Sequence, residues 1–374
     1  MNSKRLLLVL DDPFLSRFYR EKLEASGYNV DLASDVPNAL DVLRSEKAGI
    51  VVLDPLLPGS DALQSVEAFR EAGMADGLNI IILPTLHYTL AQRIEADPNL
   101  TLLKISSNPL GELLQHASRI SGGGEKSEAA LMIATLPDEE WKQFAVQASQ
   151  QSVEEMRSKL HDLARSVVYH IPLAGVLQHL HRLVGQSGLL SRGSLTHIAS
   201  ALEVMVFNLA QFPDRFDPLA LRTLSQAIDF IAILLRDGTY ARVPELDSAQ
   251  IMIIEDEESA RQLIIAAMEL VGLQATGEET PNGGLSGLGD RSFDLIFLDI
   301  NLPQMNGFDL CNKVRSLPLH ERTPIVFLTG MASFNNRVQS SLSGGNDFIG
   351  KPFNVAELGV KALMWVMKGR LGLN

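Results

Sequence analysis

The sequence predicts a multidomain chain: two α/β domains, each a doubly wound five-stranded parallel sheet, flanking an all-α four-helix bundle. Three observations predict it. Short continuous apolar runs alternate with amphipathic segments at both ends of the chain, the pattern of strands buried on both faces of a parallel sheet. Polar landmarks recur in the same order at both ends. The middle third contains long helical periodicities and no convincing strand.

The elements follow in order. The first domain, 1–120, opens with Leu6-Leu-Leu-Val-Leu and the acids Asp11 and Asp12. A second apolar strand, Ile50-Val-Val-Leu, ends in Asp54, and a third, Ile80-Ile-Ile-Leu-Pro, ends in Thr85. Leu102-Leu then precedes Lys104. The last domain, 250–374, repeats the series. Ile251-Met-Ile-Ile runs into Glu255 and Asp256, Leu295-Ile-Phe-Leu into Asp299, Ile325-Val-Phe-Leu into Thr329, and Phe348-Ile-Gly into Lys351. The intervals agree: 42 and 43 residues from acid to Asp, 31 and 30 from Asp to Thr, 19 and 22 from Thr to Lys. Four landmarks in one order at near-equal spacing identify a duplicated domain of about 120 residues.

Between them, Ser121-Gly-Gly-Gly-Glu-Lys-Ser-Glu (121–128) reads as a flexible linker. Residues 129–242 predict helices near 139–168, 172–186, 194–211 and 217–236, with breaks at Pro172, Gly188, Pro213 and Gly238. Residues 243–249 link this bundle to the last domain.

Composition narrows the function classes. The chain has 374 residues and is 46% hydrophobic, enough for several cores. Its 32 basic and 45 acidic residues give a net charge of −13, and no third of the chain is basic. That argues against a dedicated nucleic-acid-binding domain. The single cysteine, Cys311, excludes an internal disulfide and fits a reducing cytosol. The apolar start is too short for a signal peptide and is followed by acids. No apolar stretch is long enough to cross a membrane.

In parallel sheets the ligand site lies at the carboxyl ends of the strands, so the landmarks should converge on one edge of each sheet. Clustered carboxylates repel unless a cation sits among them, and oxygen ligands with open positions suit Mg²⁺. A carboxylate can also accept a phosphoryl group. Lys supplies a point charge to phosphate oxygens, and a Thr hydroxyl adds a hydrogen bond. A metal-dependent phosphatase is another use of such acids, but the Lys-Pro and Thr spacing speaks against it.

On these residues each end resembles a receiver domain of a two-component response regulator, with a flavodoxin-like fold. The resemblance implies Mg²⁺ as cofactor, held in the last domain by Glu255, Asp256, Asp299 and the backbone carbonyl of Asn301. It implies Asp299 as phosphoacceptor, Thr329 as switch hydroxyl, Lys351 as phosphate-binding lysine and Phe348 as switch aromatic. Lys351-Pro352 matches a peptide that is usually cis in the family. In the first domain Asp11, Asp12 and Asp54 fall on the metal-binding positions. Asp54, Thr85 and Lys104 fall on the acceptor, hydroxyl and lysine. This copy also departs from the pattern at Pro55, Leu86, Thr101 and Ile105. Asp54 is therefore either a second acceptor or part of a receiver kept for docking or dimerisation.

The middle third contains His181-Arg-Leu-Val-Gly-Gln-Ser-Gly-Leu-Leu, then Leu195, Ile198, Ala199, Leu202 and Glu203. A lone His on a helix is usually structural. Here the register resembles a histidine phosphotransfer domain, which implies His181 as a phosphotransfer residue, with Gly185 leaving room beside the imidazole. Val184 stands where that family has Lys.

The whole implies a cytoplasmic signalling protein without enzymatic activity beyond receiver self-phosphorylation and dephosphorylation. Its expected partners are a histidine kinase or phosphotransfer protein as donor, a downstream protein effector, and a second copy of the chain. Direct nucleic-acid contact and membrane insertion are not expected. The competing readings are a non-catalytic adaptor built on receiver domains and the regulatory part of a longer output protein.

Overall fold

The computed structural model of the chain describes residues 2–45, 48–73, 78–83, 100–103, 109–121, 139–165, 170–190, 193–212, 216–243, 246, 248–330 and 343–373. Thr85, Leu86, Lys104 and Ile105 lie outside them. The chain divides into two compact units. One comprises Met1–Met156 with Ala174–Thr196, the other Arg157–Leu173 with His197–Asn374.

The first unit contains β1 (Asn2–Val9), α1 (Pro13–Ala25), β2 (Asn29–Ala33), α2 (Val36–Ser45), β3 (Ala48–Leu53), α3 (Ala62–Glu71), β4 (Asn79–Ile82), β5 (Leu100–Leu102) and α4 (Pro109–Ile120). The strands form one sheet in the order β2-β1-β3-β4-β5, parallel throughout. Leu6, Leu7, Leu8 and Val9 are fully buried, as are Ile50 to Leu53, because both faces of the central strands are covered. Asp12 caps α1: its carboxylate accepts from the backbone N–H groups of Phe14 and Leu15 at 2.8 and 3.1 Å.

The helical middle contributes α5 (Glu139–Arg165), α6 (His170–Gly188), α7 (Gly193–Gln211) and α8 (Pro218–Leu235). These four helices match the sequence expectation within a few residues. The middle is helical, and its segments are shared between the two units. A short 3₁₀ segment, Arg236–Arg242, follows α8.

The second unit adds β6 (Gln250–Ile254), α9 (Glu258–Leu270), β7 (Gln274–Glu278), α10 (Pro281–Asp290), β8 (Leu295–Asp299), α11 (Gly307–Arg315), β9 (Ile325–Thr329), β10 (Asp347–Gly350) and α12 (Val355–Leu371). The sheet order β7-β6-β8-β9-β10 repeats the first sheet, again parallel. The duplicated sequence thus makes two sheets of one topology, with the strand order reversing beside the first strand of each. That reversal opens the crevice into which the landmark residues project.

One expectation is corrected. Helix α8 is long and apolar enough to cross a membrane by length and composition. Its apolar side is spent on a protein core: Leu224, Ala227, Ile228, Phe230, Ile231, Leu234 and Leu235 are buried. Thr223 Oγ1 on the same helix donates to Glu357 Oε1 at 2.6 Å.

Candidate functional site

In the second unit the polar landmarks meet at the carboxyl edge of the sheet. Glu255 and Asp256 follow β6, Asp299 ends β8, Thr329 ends β9 and Lys351 follows β10. Glu255, Asp299 and Thr329 are buried, and Asp256 is exposed. Lys351 Nζ donates to Glu255 Oε1 at 2.8 Å and to Asp299 Oδ2 at 2.9 Å. The Lys351-Pro352 peptide is cis. The backbone N–H of Asn301 donates to Asp299 Oδ1 at 3.1 Å. Arg261 Nη1 braces the acidic turn by donating to the Glu255 carbonyl at 2.7 Å.

Burial, reinforced by the Asp299 charge, pushes the Glu255 carboxyl up to about 7, with Lys351 opposing the shift. Burial alone would lower the Lys351 ammonium. Its hydrogen bonds to Glu255 and Asp299 outweigh that and raise it. The turn after Asp299 leaves no space for a side chain at Gly307, where a Cβ would stand 2.2 Å from the Asp299 carbonyl oxygen. In the sequence this glycine closes the turn Ile-Asn-Leu-Pro-Gln-Met-Asn-Gly after Asp299, while its close approach to the strand end is a tertiary distance.

Glu255, Asp256 and Asp299 each bring a carboxylate oxygen within 4.8 Å of the others, the only group of three ligands so placed among the described residues. An all-oxygen donor set with an exposed member fits Mg²⁺, which retains waters.

Phe348, expected as the switch aromatic, is buried in the apolar cluster behind this edge. The Arg222 guanidinium lies over its ring, 4.8 Å from the centroid, and pairs with Asp347 at 3.2 Å. Asp347 also receives Lys361 Nζ at 2.6 Å and Trp365 Nε1 at 3.2 Å. Burial would raise the Asp347 carboxyl, but Lys361 and Arg222 outweigh it and hold it below its ordinary value. None of Arg222, Asp347 and Lys361 was singled out from the sequence, because their partners lie far away along the chain.

In the first unit Asp54 and Asp12 are buried and Asp11 is half-buried. The strands converge as expected, and helix α6 lies over the pocket. His181 Nε2 meets Asp54 Oδ1. Arg182 Nη2 and Gln178 Nε2 donate to Asp11 Oδ2 at 2.7 and 2.9 Å. Gln186 Nε2 donates to Asp12 Oδ2 at 2.8 Å and its Oε1 accepts from Ser152 at 3.3 Å. Residues 178, 181, 182, 185 and 186 are one helix face by their spacing. His181 is thus joined to an acceptor-type Asp. Arg182, Gln178 and Gln186 were missed, and their three- and four-residue spacing around His181 was the available signal.

Gly185 was expected to leave room beside the imidazole. Its neighbour is instead Leu15 of α1: an added Cβ would stand 2.4 Å from Leu15 Cδ1. The glycine allows α6 to approach α1. Val184, at the position of the expected Lys, is buried.

The sequence profile of the response regulator receiver domain matches residues 6–105 and 251–362. Protein RcaC of Microchaete diplosiphon is 30% identical over 149 residues, 40% of this chain and 22% of that protein. The phosphate regulon transcriptional regulatory protein PhoB of Pseudomonas aeruginosa is 33% identical over 108 residues, 29% of this chain and 47% of that protein. The chain spans less than half the length of these two relatives. Among solved structures, the chemotaxis response regulator CheY4 of Vibrio cholerae is 28% identical with a TM-score of 0.30, covering 32% of this chain and 98% of that one. A receiver domain of a Pseudomonas aeruginosa sensor histidine kinase is 26% identical with a TM-score of 0.30, covering 32% of this chain and 97% of its own. That structure is described with a magnesium ion coordinated in its active-site cleft.

Proposed function

The chain belongs to the response regulator receiver domain family, with two copies of the domain, and from that premise we propose that Asp299 is its main phosphoryl acceptor. The observation that carries the reading is the meeting of Glu255, Asp299 and Lys351 within hydrogen-bonding distance at one sheet edge. A donor phosphohistidine, on a histidine kinase or phosphotransfer protein, presents its phosphorus to an Asp299 carboxylate oxygen. The O–P bond forms as the P–N bond breaks, and the electron pair returns to the donor imidazole. Lys351 Nζ then shifts toward the phosphoryl oxygens. Mg²⁺ held by Glu255, Asp256, Asp299 and the Asn301 carbonyl would supply charge compensation for those oxygens.

Thr329 donates its hydroxyl to the acyl phosphate, and Phe348 moves with it beneath Arg222. The output is a changed face along β10 and α12, read by a downstream protein. On this reading the chain is a switch and not an enzyme, works in the cytosol with Cys311 as a thiol, and uses no direct nucleic-acid contact.

A second reading is favoured by the contact of His181 Nε2 with Asp54 Oδ1. It assigns them as an internal exchange pair. The Nε2 lone pair attacks the phosphorus of an Asp54 acyl phosphate, the P–O bond breaks, and the carboxylate leaves. The imidazole proton stays on Nδ1.

The test is incubation with Mg²⁺ and acetyl phosphate, followed by site mapping by mass spectrometry. Asp299→Ala should abolish labelling of the second receiver. Unchanged labelling there would refute the assignment. His181→Gln should remove any phosphohistidine, and phosphohistidine persisting in that variant would refute the exchange pair.

A further inference from the structure

Four of the six carboxylate oxygens of Asp11, Asp12 and Asp54 already meet protein partners. Asp11 Oδ2 accepts from both Gln178 and Arg182, which uses its two lone pairs. Asp12 Oδ1 accepts two backbone N–H groups of α1, and Oδ2 accepts from Gln186. Asp54 Oδ1 accepts from the Leu56 N–H at 3.0 Å and also meets His181. Three carboxylates, two of them buried, need positive charge nearby. The formal cation reaching them from α6 is Arg182, fixed at 2.7 Å. A Mg²⁺ ion needs near-octahedral oxygen ligation at about 2.0–2.1 Å. The pocket as it stands does not fit one, in contrast to the second pocket, where the three acids approach within 4.8 Å.

We infer that Arg182, supported by Gln178 and Gln186, takes the place of the divalent cation in the first receiver pocket, so that docked α6 and Mg²⁺ exclude one another. Gly185 is part of the device, since it permits the approach of α6 to Leu15 that brings Arg182 over Asp11. An external donor needs both the carboxylate of Asp54 and a cation beside it, so the first receiver is closed to such a donor until α6 leaves. Among the described residues, the acids of the second receiver meet a lysine of their own domain, Lys351, and no side chain of the helical middle.

The inference rests on reading Asp11, Asp12 and Asp54 as a receiver pocket. A failure to find phosphate on Asp54 would leave the following measurement untouched, so the two failures are separable. Mg²⁺ alone is titrated into the full chain by calorimetry, with Asp256→Asn present throughout to disable the second site. Adding Arg182→Ala should gain a Mg²⁺ site, or tighten one by about tenfold or more, the change expected when a competing charge is removed. Adding Asp12→Asn to that variant should remove the gain, placing the ion in this pocket. Equal Mg²⁺ binding with and without Arg182, whether both bind or neither does, overturns the inference.

Should Arg182→Ala unfold, the competition is read from the other side in the Asp256→Asn chain. Raising Mg²⁺ should speed amide exchange across residues 178–186. Mg²⁺ that binds at Asp11 and Asp12 while leaving that exchange unchanged also overturns it.

Discussion

The two receivers share one topology and corresponding acids but hold Asp54 and Asp299 differently. Asp299 is held by a lysine of its own domain, Lys351 at 2.9 Å, and its neighbouring acids are grouped as a cation site. Asp54 is held by His181, from a helix more than a hundred residues further along the chain. The comparison teaches that motif residues set the chemistry available, while whatever lies over the pocket decides who can use it. A receiver whose acids are held only by its own lysine suits an outside donor. A receiver covered by a histidine-bearing helix suits exchange within the chain.

The supports behind the two pockets differ as well, and variants separate them. The largest effect on stability is expected at Lys361. Its ammonium and the Asp347 carboxylate are both buried and 2.6 Å apart. Lys361→Ala would strand the carboxylate and cost about 3–5 kcal/mol, read as a shift in denaturation midpoint. The same pair gives the second receiver an acid sensitivity. The folded Asp347 carboxyl lies below its ordinary value, so its contribution is complete above the unfolded value of about 3.9. It is lost as pH falls through the lower folded value. Asp347→Asn should remove that part of the acid-induced loss. An unchanged acid profile would contradict the assignment.

A matched pair of glycines tests the approach at each pocket. Gly307→Ala would drive a Cβ to within 2.2 Å of a backbone oxygen, which cannot move aside. We expect about 3 kcal/mol of destabilisation, the upper end for overpacking. Gly185→Ala meets only the end of the Leu15 side chain at 2.4 Å, which can rotate. We expect about 1 kcal/mol by thermal denaturation, with loosening confined to α6. A larger cost at Gly185 than at Gly307 would reverse the comparison.

Much of this was legible in the sequence. The paired intervals located both sheets and both acidic edges, because in a parallel sheet a polar residue at the end of a buried strand has only one place to go. Helices α5 to α8 were readable from period and punctuation. What covers each edge was not readable. Arg182, Gln178 and Gln186 look like an ordinary solvated face of α6, since nothing in a local window says that Asp11 and Asp12 lie opposite. Arg222 and Lys361 are hidden for the same reason: Asp347 is 125 and 14 residues away from them. Gly185 was noticed, but its function was assigned to the imidazole instead of Leu15, because the approach of α6 to α1 is a tertiary distance. Helix α8 is longer and more apolar than the sequence reading allowed, matching a membrane span by length and composition, and its burial in a core is a tertiary fact.

The most direct measurement is the labelling of both acceptors in one sample. The full chain is mixed with Mg²⁺ and acetyl phosphate, and phosphate on Asp54 and Asp299 is quantified over time by mass spectrometry. Asp299 should be labelled well ahead of Asp54, and Arg182→Ala should narrow the gap by speeding Asp54 alone. Asp54 labelled as fast as Asp299 in the unaltered chain would contradict the distinction between a receiver held by its own lysine and one covered by α6.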